Sequence, residues 1–197
     1  MGAIFQSLGR TITAGVVLLV VIILLVGGIS GTWVKLDQGW WAFLIRFLHV
    51  TAGVMWIGLL WYFNFVQTPS MPQIPDDQKP AVSKVIAPRA LFWFRHAALW
   101  TVLIGLLLAT MNGYIAKALM LQAPFTAIGI GMWLGLVMAY NVWMIIWPNQ
   151  KKALGIVQVS PEEKAAAAKM AGMTSRINTM LSIPMLYCMV AQQNGGL

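Results

Sequence analysis

Residues 14–28 read AGVVLLVVIILLVGG, a run without one polar side chain, and four more apolar stretches follow it in the same chain. About 20 such residues in a helix, each rising 1.5 Å, cross a hydrocarbon core of roughly 30 Å. The stretches near 12–34, 40–65, 90–112, 125–147 and 171–192 all reach that length. Inside lipid a crossing backbone must satisfy its own N–H and C=O groups, and at these lengths only a helix does so. The expected fold is therefore an all-α integral membrane bundle of five transmembrane helices, with residues 1–197 forming a single membrane domain. Composition agrees. The chain is 59% hydrophobic and 9% charged, more apolar surface than a soluble domain of this size can bury. Segment one has Arg10 before its apolar run, as a signal peptide would, but lacks a clear A-x-A cleavage site and reads as a retained helix.

The connectors orient the bundle. With five spans, the amino terminus, the 66–89 connector and the 148–160 connector share a side. That side carries Arg10, Lys79, Lys84, Arg89, Lys151, Lys152 and, on the approach to the last span, Lys164, Lys169 and Arg176. The opposite side carries Lys35 and Lys117, with Arg46 just inside. Basic residues favour the cytoplasm, so the amino terminus is expected inside and the carboxyl-terminal QQNGGL in the periplasm of a bacterial inner membrane. The sequence pI of about 10.0 then reflects orientation and anionic membrane lipid, with no nucleic-acid partner. Trp40 and Trp41 at one face and Trp147 at the other suit interfacial anchors. Five prolines in 66–89 predict an extended or turn-rich loop. In SPEEK, Ser160, Pro161 and Glu163 form a capping box, which would start the last helix at 161, ahead of its membrane portion at 171–192, and Pro184 would kink it near Ile183.

The polar residues left inside the spans carry the chemistry. All five acids (Asp37, Asp76, Asp77, Glu162, Glu163) fall in connectors or at the capped helix start, which argues against a carboxylate proton relay, a cation transporter or paired-carboxylate hydrolysis. No phosphate-binding glycine loop, HExxH or CxxCH occurs, and Cys188 is the only cysteine. Arg46 and His49 stand three apart on one face of the second helix, and Gly53 and Trp56 continue that face. A histidine with a glycine one turn away leaves room for a flat macrocycle, and an arginine one turn the other way meets its acidic groups. This pattern points to a b-type haem on neutral imidazole. The competing reading is a histidine that only hydrogen-bonds a neighbouring helix, with Arg46 reaching the interface.

His96 is the second candidate ligand. Helix rise places the two histidines about 9 Å apart in depth, and helices pack about 8–10 Å apart, so their alpha-carbons would be about 13 Å apart if they face each other. One tilted haem then takes both; small shifts of the helix ends give two sites instead, or leave His96 a polar residue near the interface. Arg176 and Asn178 enter the last helix from the cytoplasmic side, where Arg176 either snorkels or orients a propionate, a quinone or a partner subunit.

Three stretches, LHVTAGVMWIGLLWYFNFVQTP, ALFWFRHAALWTVLIGLLL and MTSRINTMLSIPMLYCMV, resemble the urate oxidase N-terminal membrane domain family, the membrane part of bacterial cytochrome c-linked urate hydroxylases. The resemblance runs through helices two to five. It implies that His49, Trp56 and Gly58 match the family's helix-two pattern, that Trp93, Phe94, Arg95 and Trp100 match helix three, and that Arg176, Asn178 and Pro184 match helix five. His96 stands where the urate enzymes are expected to carry an aromatic residue, and Ala97 where an acid is expected. With no CxxCH in these residues, the resemblance implies a haem-binding electron-transfer subunit working with a membrane redox complex, a cytochrome c-like partner or a quinone. A cofactor-free accessory subunit of a respiratory or photosynthetic complex is the alternative, and a urate or porphyrin oxidase component the third. The cofactor-binding set is then His49, His96, Arg46, Gly53, Trp56 and Arg176, with His49 and His96 on the iron.

Overall fold

The structure, a computed structural model, describes residues 2–196 apart from the side chain of Ala3. Among the described residues its regular structure is all helical, without strands. We label the long helices α1 (Leu8–Ser30), α2 (Gln38–Gln73), α3 (Ala81–Met111), α4 (Thr126–Ala153) and α5 (Pro161–Asn194). The first four are long and apolar enough to cross a membrane. The fifth is longer than α1, α3 and α4 but less apolar.

The chain divides into two compact units, Met1–Trp41 and Ala42–Leu197. In the first, α1 exposes nearly every side chain, and only Gly27 is buried. A β-carbon there would come within 2.7 Å of the Trp33 ring, so glycine is what lets the tryptophan fold back onto the helix. Gly31 ends α1 in the left-handed conformation (φ 67°), which costs a residue without a β-carbon little. Asp37 accepts from the Trp40 amide at 2.9 Å and so satisfies a free donor at the start of α2.

In the second unit the core joins Trp56, Leu60 and Phe63 of α2, Phe94 and Ala98 of α3, Met138, Val142 and Ile146 of α4, and Met185 of α5. The buried stripe of α5 is small or polar: Ala167, Ala171, Thr174, Asn178 and Ser182 recur every three or four residues. Asn178 donates to the Met138 carbonyl at 2.9 Å and accepts from Asn141 at 2.8 Å. Trp61 donates to Ser182 at 3.0 Å, and Asn64 to Ser175 at 2.8 Å. These polar side chains of α5 face its neighbours, while its charged residues Glu162, Glu163, Lys164, Lys169 and Arg176 are exposed.

Several expected boundaries are corrected. The 66–89 and 148–160 loops shrink to 74–80 and 154–160, because helix continues to Gln73, restarts at Ala81 and runs on to Ala153. The prolines that suggested loops are tolerated by a local device. Pro69, Pro88 and Pro148 each stand two residues after a wide, π-helical stretch (Tyr62–Gln67, Ala81–Ile86 and Asn141–Ile146). A proline ring collides with the carbonyl four residues back, and widening the preceding turn removes the collision. Pro184 lies within α5, which remains helical on both sides. The Ser160 cap forms, accepting from the Glu163 amide at 3.2 Å, but the Glu163 carboxylate pairs with Lys152 at 2.5 Å. Of QQNGGL, helix includes residues as far as Asn194, and Leu197 lies outside the described residues.

Candidate functional site

Arg46, His49, Gly53 and Trp56 recur at spacings of three, four and three along α2, so one helical face presents all four. That face forms one wall of a cavity of about 590 Å³ within the second unit. The opposite walls come from Thr101 and Gly105 of α3, Met132 and Gly135 of α4, and Met185 and Met189 of α5. The volume lies in the range of small-molecule and cofactor sites, roughly 300–1,000 Å³. The lining is mostly apolar, with a few polar groups: Arg46 and His49 of α2, Thr101 of α3, Tyr114 of the 112–125 connector, and Gln193 and Asn194 of α5.

The half-buried His49 is held in one orientation. Its Nδ1 lies 2.9 Å from the Thr101 carbonyl oxygen. A carbonyl only accepts, so Nδ1 of the neutral ring carries the hydrogen and Nε2 keeps its lone pair. Gly105, one turn beyond Thr101, makes the contact sterically feasible: a β-carbon there would lie 2.7 Å from His49 Cε1 and 3.0 Å from Nδ1. The hydroxyl of Thr101 is itself satisfied by the Ala97 carbonyl at 2.7 Å. Anchoring one ring nitrogen on a carbonyl is the arrangement that readies the other to bind a metal.

Two further donors of the cavity wall are buried and lack a hydrogen-bond partner, Nε of Arg46 and Nε1 of Trp56. Trp56 is only 1% exposed, so water does not satisfy it, and most groups buried so deeply have a partner. At the Arg46 end stands Tyr114, its ring stacked on Phe125 at 5.1 Å between centroids. Burial pushes its phenol above the usual range, and the nearby Arg46 charge partly offsets this, so the hydroxyl stays protonated at neutral pH.

The structure thus brings Arg46, His49, Gly53 and Trp56 to one cavity, and places His96 and Arg176 elsewhere. His96 turns Nδ1 to the Phe92 carbonyl of its own helix at 2.7 Å, with its ring against Phe92 and Trp143. Arg176 is exposed on α5. Among the described residues, no three His, Cys, Asp or Glu side chains come close enough to hold a bare metal ion. A metal at His49 would need a carrier with its own ligands. A porphyrin brings four nitrogens, and the cavity adds an imidazole with a free Nε2, a cation for acidic substituents and the volume for a macrocycle; these residues fit a haem. Sequence reasoning missed Thr101, Gly105 and Tyr114. The contribution of Thr101 is a backbone carbonyl and that of Gly105 the absence of a side chain, and neither leaves a chemical signature in the sequence.

Residues 115–195 match the family described as urate oxidase N-terminal. The match takes in the helix-five motif with Arg176, Asn178 and Pro184 and stops short of the cavity wall on α2 and α3. No curated protein and no solved structure matches the chain.

Proposed function

From a carboxyl-terminal part that matches the urate oxidase N-terminal family, we propose that this chain is a haem-binding membrane subunit that passes electrons within a larger redox assembly. The observation that carries this reading is His49, fixed by Thr101 and Gly105 with Nε2 free at a cavity of cofactor size. His49 would hold the haem iron, Arg46 would hold an acidic substituent with Tyr114 beside it, and Gly53 would leave the α2 wall low. When bound, haem supplies a one-electron redox centre. The chain's own residues orient the imidazole, neutralise negative charge at one end and keep water from the middle of the bundle.

α5 makes a fifth crossing in this reading, since Asn178 and Ser182 are satisfied by α4 and α2, many of its outward residues, among them Met173, Ile177, Met180 and Ile183, are apolar, and the exposed Arg176 near the cytoplasmic end snorkels. Five spans put the amino terminus in the cytoplasm and the carboxyl terminus in the periplasm of a bacterial inner membrane. Electrons leave to a cytochrome c-like centre or a quinone outside residues 1–197, which contain no CxxCH. Urate is not turned over by the isolated chain.

The test is a reduced-minus-oxidised spectrum and an extracted-haem assay on protein purified from haem-replete cells, with a urate assay alongside. Stoichiometric b-type haem without urate turnover is the expected result. Protein that folds and stays haem-free would support the accessory-subunit reading instead. Urate oxidation by the isolated chain would overturn the proposed division of labour.

A further inference from the structure

A second polar cluster lies outside the cavity. The Arg95 guanidinium sits over the Trp147 ring at 3.9 Å and near Phe92 at 5.3 Å, and Lys151 Nζ lies 5.7 Å from the same indole. The Trp143 indole donates to the Arg95 carbonyl at 3.1 Å, which ties α3 to α4 here. Arg95, Trp147 and Lys151 are all half-buried. Among the described residues neither cation is ion-paired with a carboxylate: the ion pairs are Lys79 with Asp76 and Lys152 with Glu163. Two like charges set against one indole ring, partly out of water and without an ion-paired carboxylate, are unfavourable unless an anion joins them.

Their depth points to the anion. Measured along the helices from the 112–125 connector, Arg95 lies about 24 Å up α3 and Trp147 about 32 Å up α4. A hydrocarbon core of about 30 Å ends between those depths, where an arginine reaches outward, a tryptophan sits at the interface and a lysine stands in the headgroup layer. Arginine presents a planar fork to phosphate oxygens, and lysine adds a point charge.

We propose that Arg95 and Lys151, held on the Trp147 ring, bind the phosphate of an acidic membrane lipid in the leaflet facing the 74–80 and 154–160 loops. The shared chemistry is a phosphate anion; its source here is a lipid headgroup rather than free phosphate, because the guanidinium lies at the depth of the bilayer edge. The site is independent of the haem cavity and stands whether or not haem binds.

The test reconstitutes the delipidated full chain into phosphatidylcholine discs containing a minority of phosphatidylglycerol and counts retained lipid by native mass spectrometry. At about 1 kcal/mol per basic residue, wild type should favour phosphatidylglycerol by about thirtyfold. Lys151→Gln should lower the preference about fivefold, the Arg95→Gln and Lys151→Gln double variant should abolish it, and Lys117→Gln, on the opposite connector, should leave it intact. Because Arg95→Gln disturbs a packed helix contact, Lys151→Gln decides the matter if the double variant fails to fold. Equal retention of both lipids by wild type, an unchanged preference in Lys151→Gln, or displacement of the lipid by inorganic phosphate would each overturn the proposal.

Discussion

Two polar regions lie within a few turns of each other in this bundle, and they are built to opposite rules. Between α4, α5 and the middle of α2, polar groups meet polar groups: Asn141 with Asn178, Asn178 with the Met138 carbonyl, Asn64 with Ser175, Trp61 with Ser182. Along the α2 face toward α3, Arg46 Nε and Trp56 Nε1 find nothing in the protein, and His49 shows a bare Nε2. In lipid an unmatched polar group has no water to fall back on, so the first region reads as architecture and the second as a place for another molecule. Both use polar side chains, with a tryptophan in each. Under the proposed function, completion of the hydrogen bonds, more than the presence of polarity, separates the groups that hold the fold from those that would hold a ligand.

Substitutions on the two sides should separate along that line. The largest effect is predicted for His49→Ala, which should abolish bound haem while leaving detergent-solubilised thermal unfolding within a few degrees of wild type. A haem spectrum at wild-type stoichiometry in that variant would remove His49 from the site. Asn178→Ala should do the reverse. It strands the Met138 carbonyl and the Asn141 amide, at a cost of about 2–3 kcal/mol in unfolding assays, with haem per folded protein unchanged. Haem loss at unchanged stability would collapse the distinction between the regions.

Gly105→Ala sharpens the cavity side. Its new methyl meets the His49 ring, so the ring must shift from Thr101, and haem affinity should fall about tenfold, near 1.4 kcal/mol, in a haem-transfer titration. Gly135→Ala is the matched control on α4, where a β-carbon meets nothing within 4 Å; equal losses in both would mean that cavity volume, and not imidazole orientation, sets affinity. The smallest change is predicted for Trp56→Phe, which removes an unpartnered N–H and keeps most of the aromatic bulk. Stability should hold or rise slightly, since a buried orphan donor is gone, and haem retention should move only a fewfold. A loss of 2 kcal/mol or more in unfolding would show that Nε1 has a protein partner after all.

Much of this was legible in advance because lipid imposes rules on sequence that water does not. Apolar length predicted five spans and with them the all-helical class; four of the five long helices are long and apolar enough to cross a membrane. The three- and four-residue spacing from Arg46 to Trp56 was enough to put those side chains on one face, and SPEEK announced the helix start that Ser160 caps. Proline misled the reading of connectors. A ring without an N–H normally ends a helix, and one widened turn before each of Pro69, Pro88 and Pro148 depends on three-dimensional accommodation rather than on residue type.

Which neighbour a face meets belongs to the tertiary structure alone. Depth along a helix follows from counting residues, but rotation about its axis follows from packing. Rotation sends His49 to the Thr101 carbonyl and leaves His96 on its own Phe92. It also turns the asparagines and serines of α5 inward. Sequence determined how many long helices form and which residues share a face, because both depend on local periodicity and the solvent. Packing decided which polar groups would be completed and which left open, because a hydrogen bond between helices needs both partners at one place.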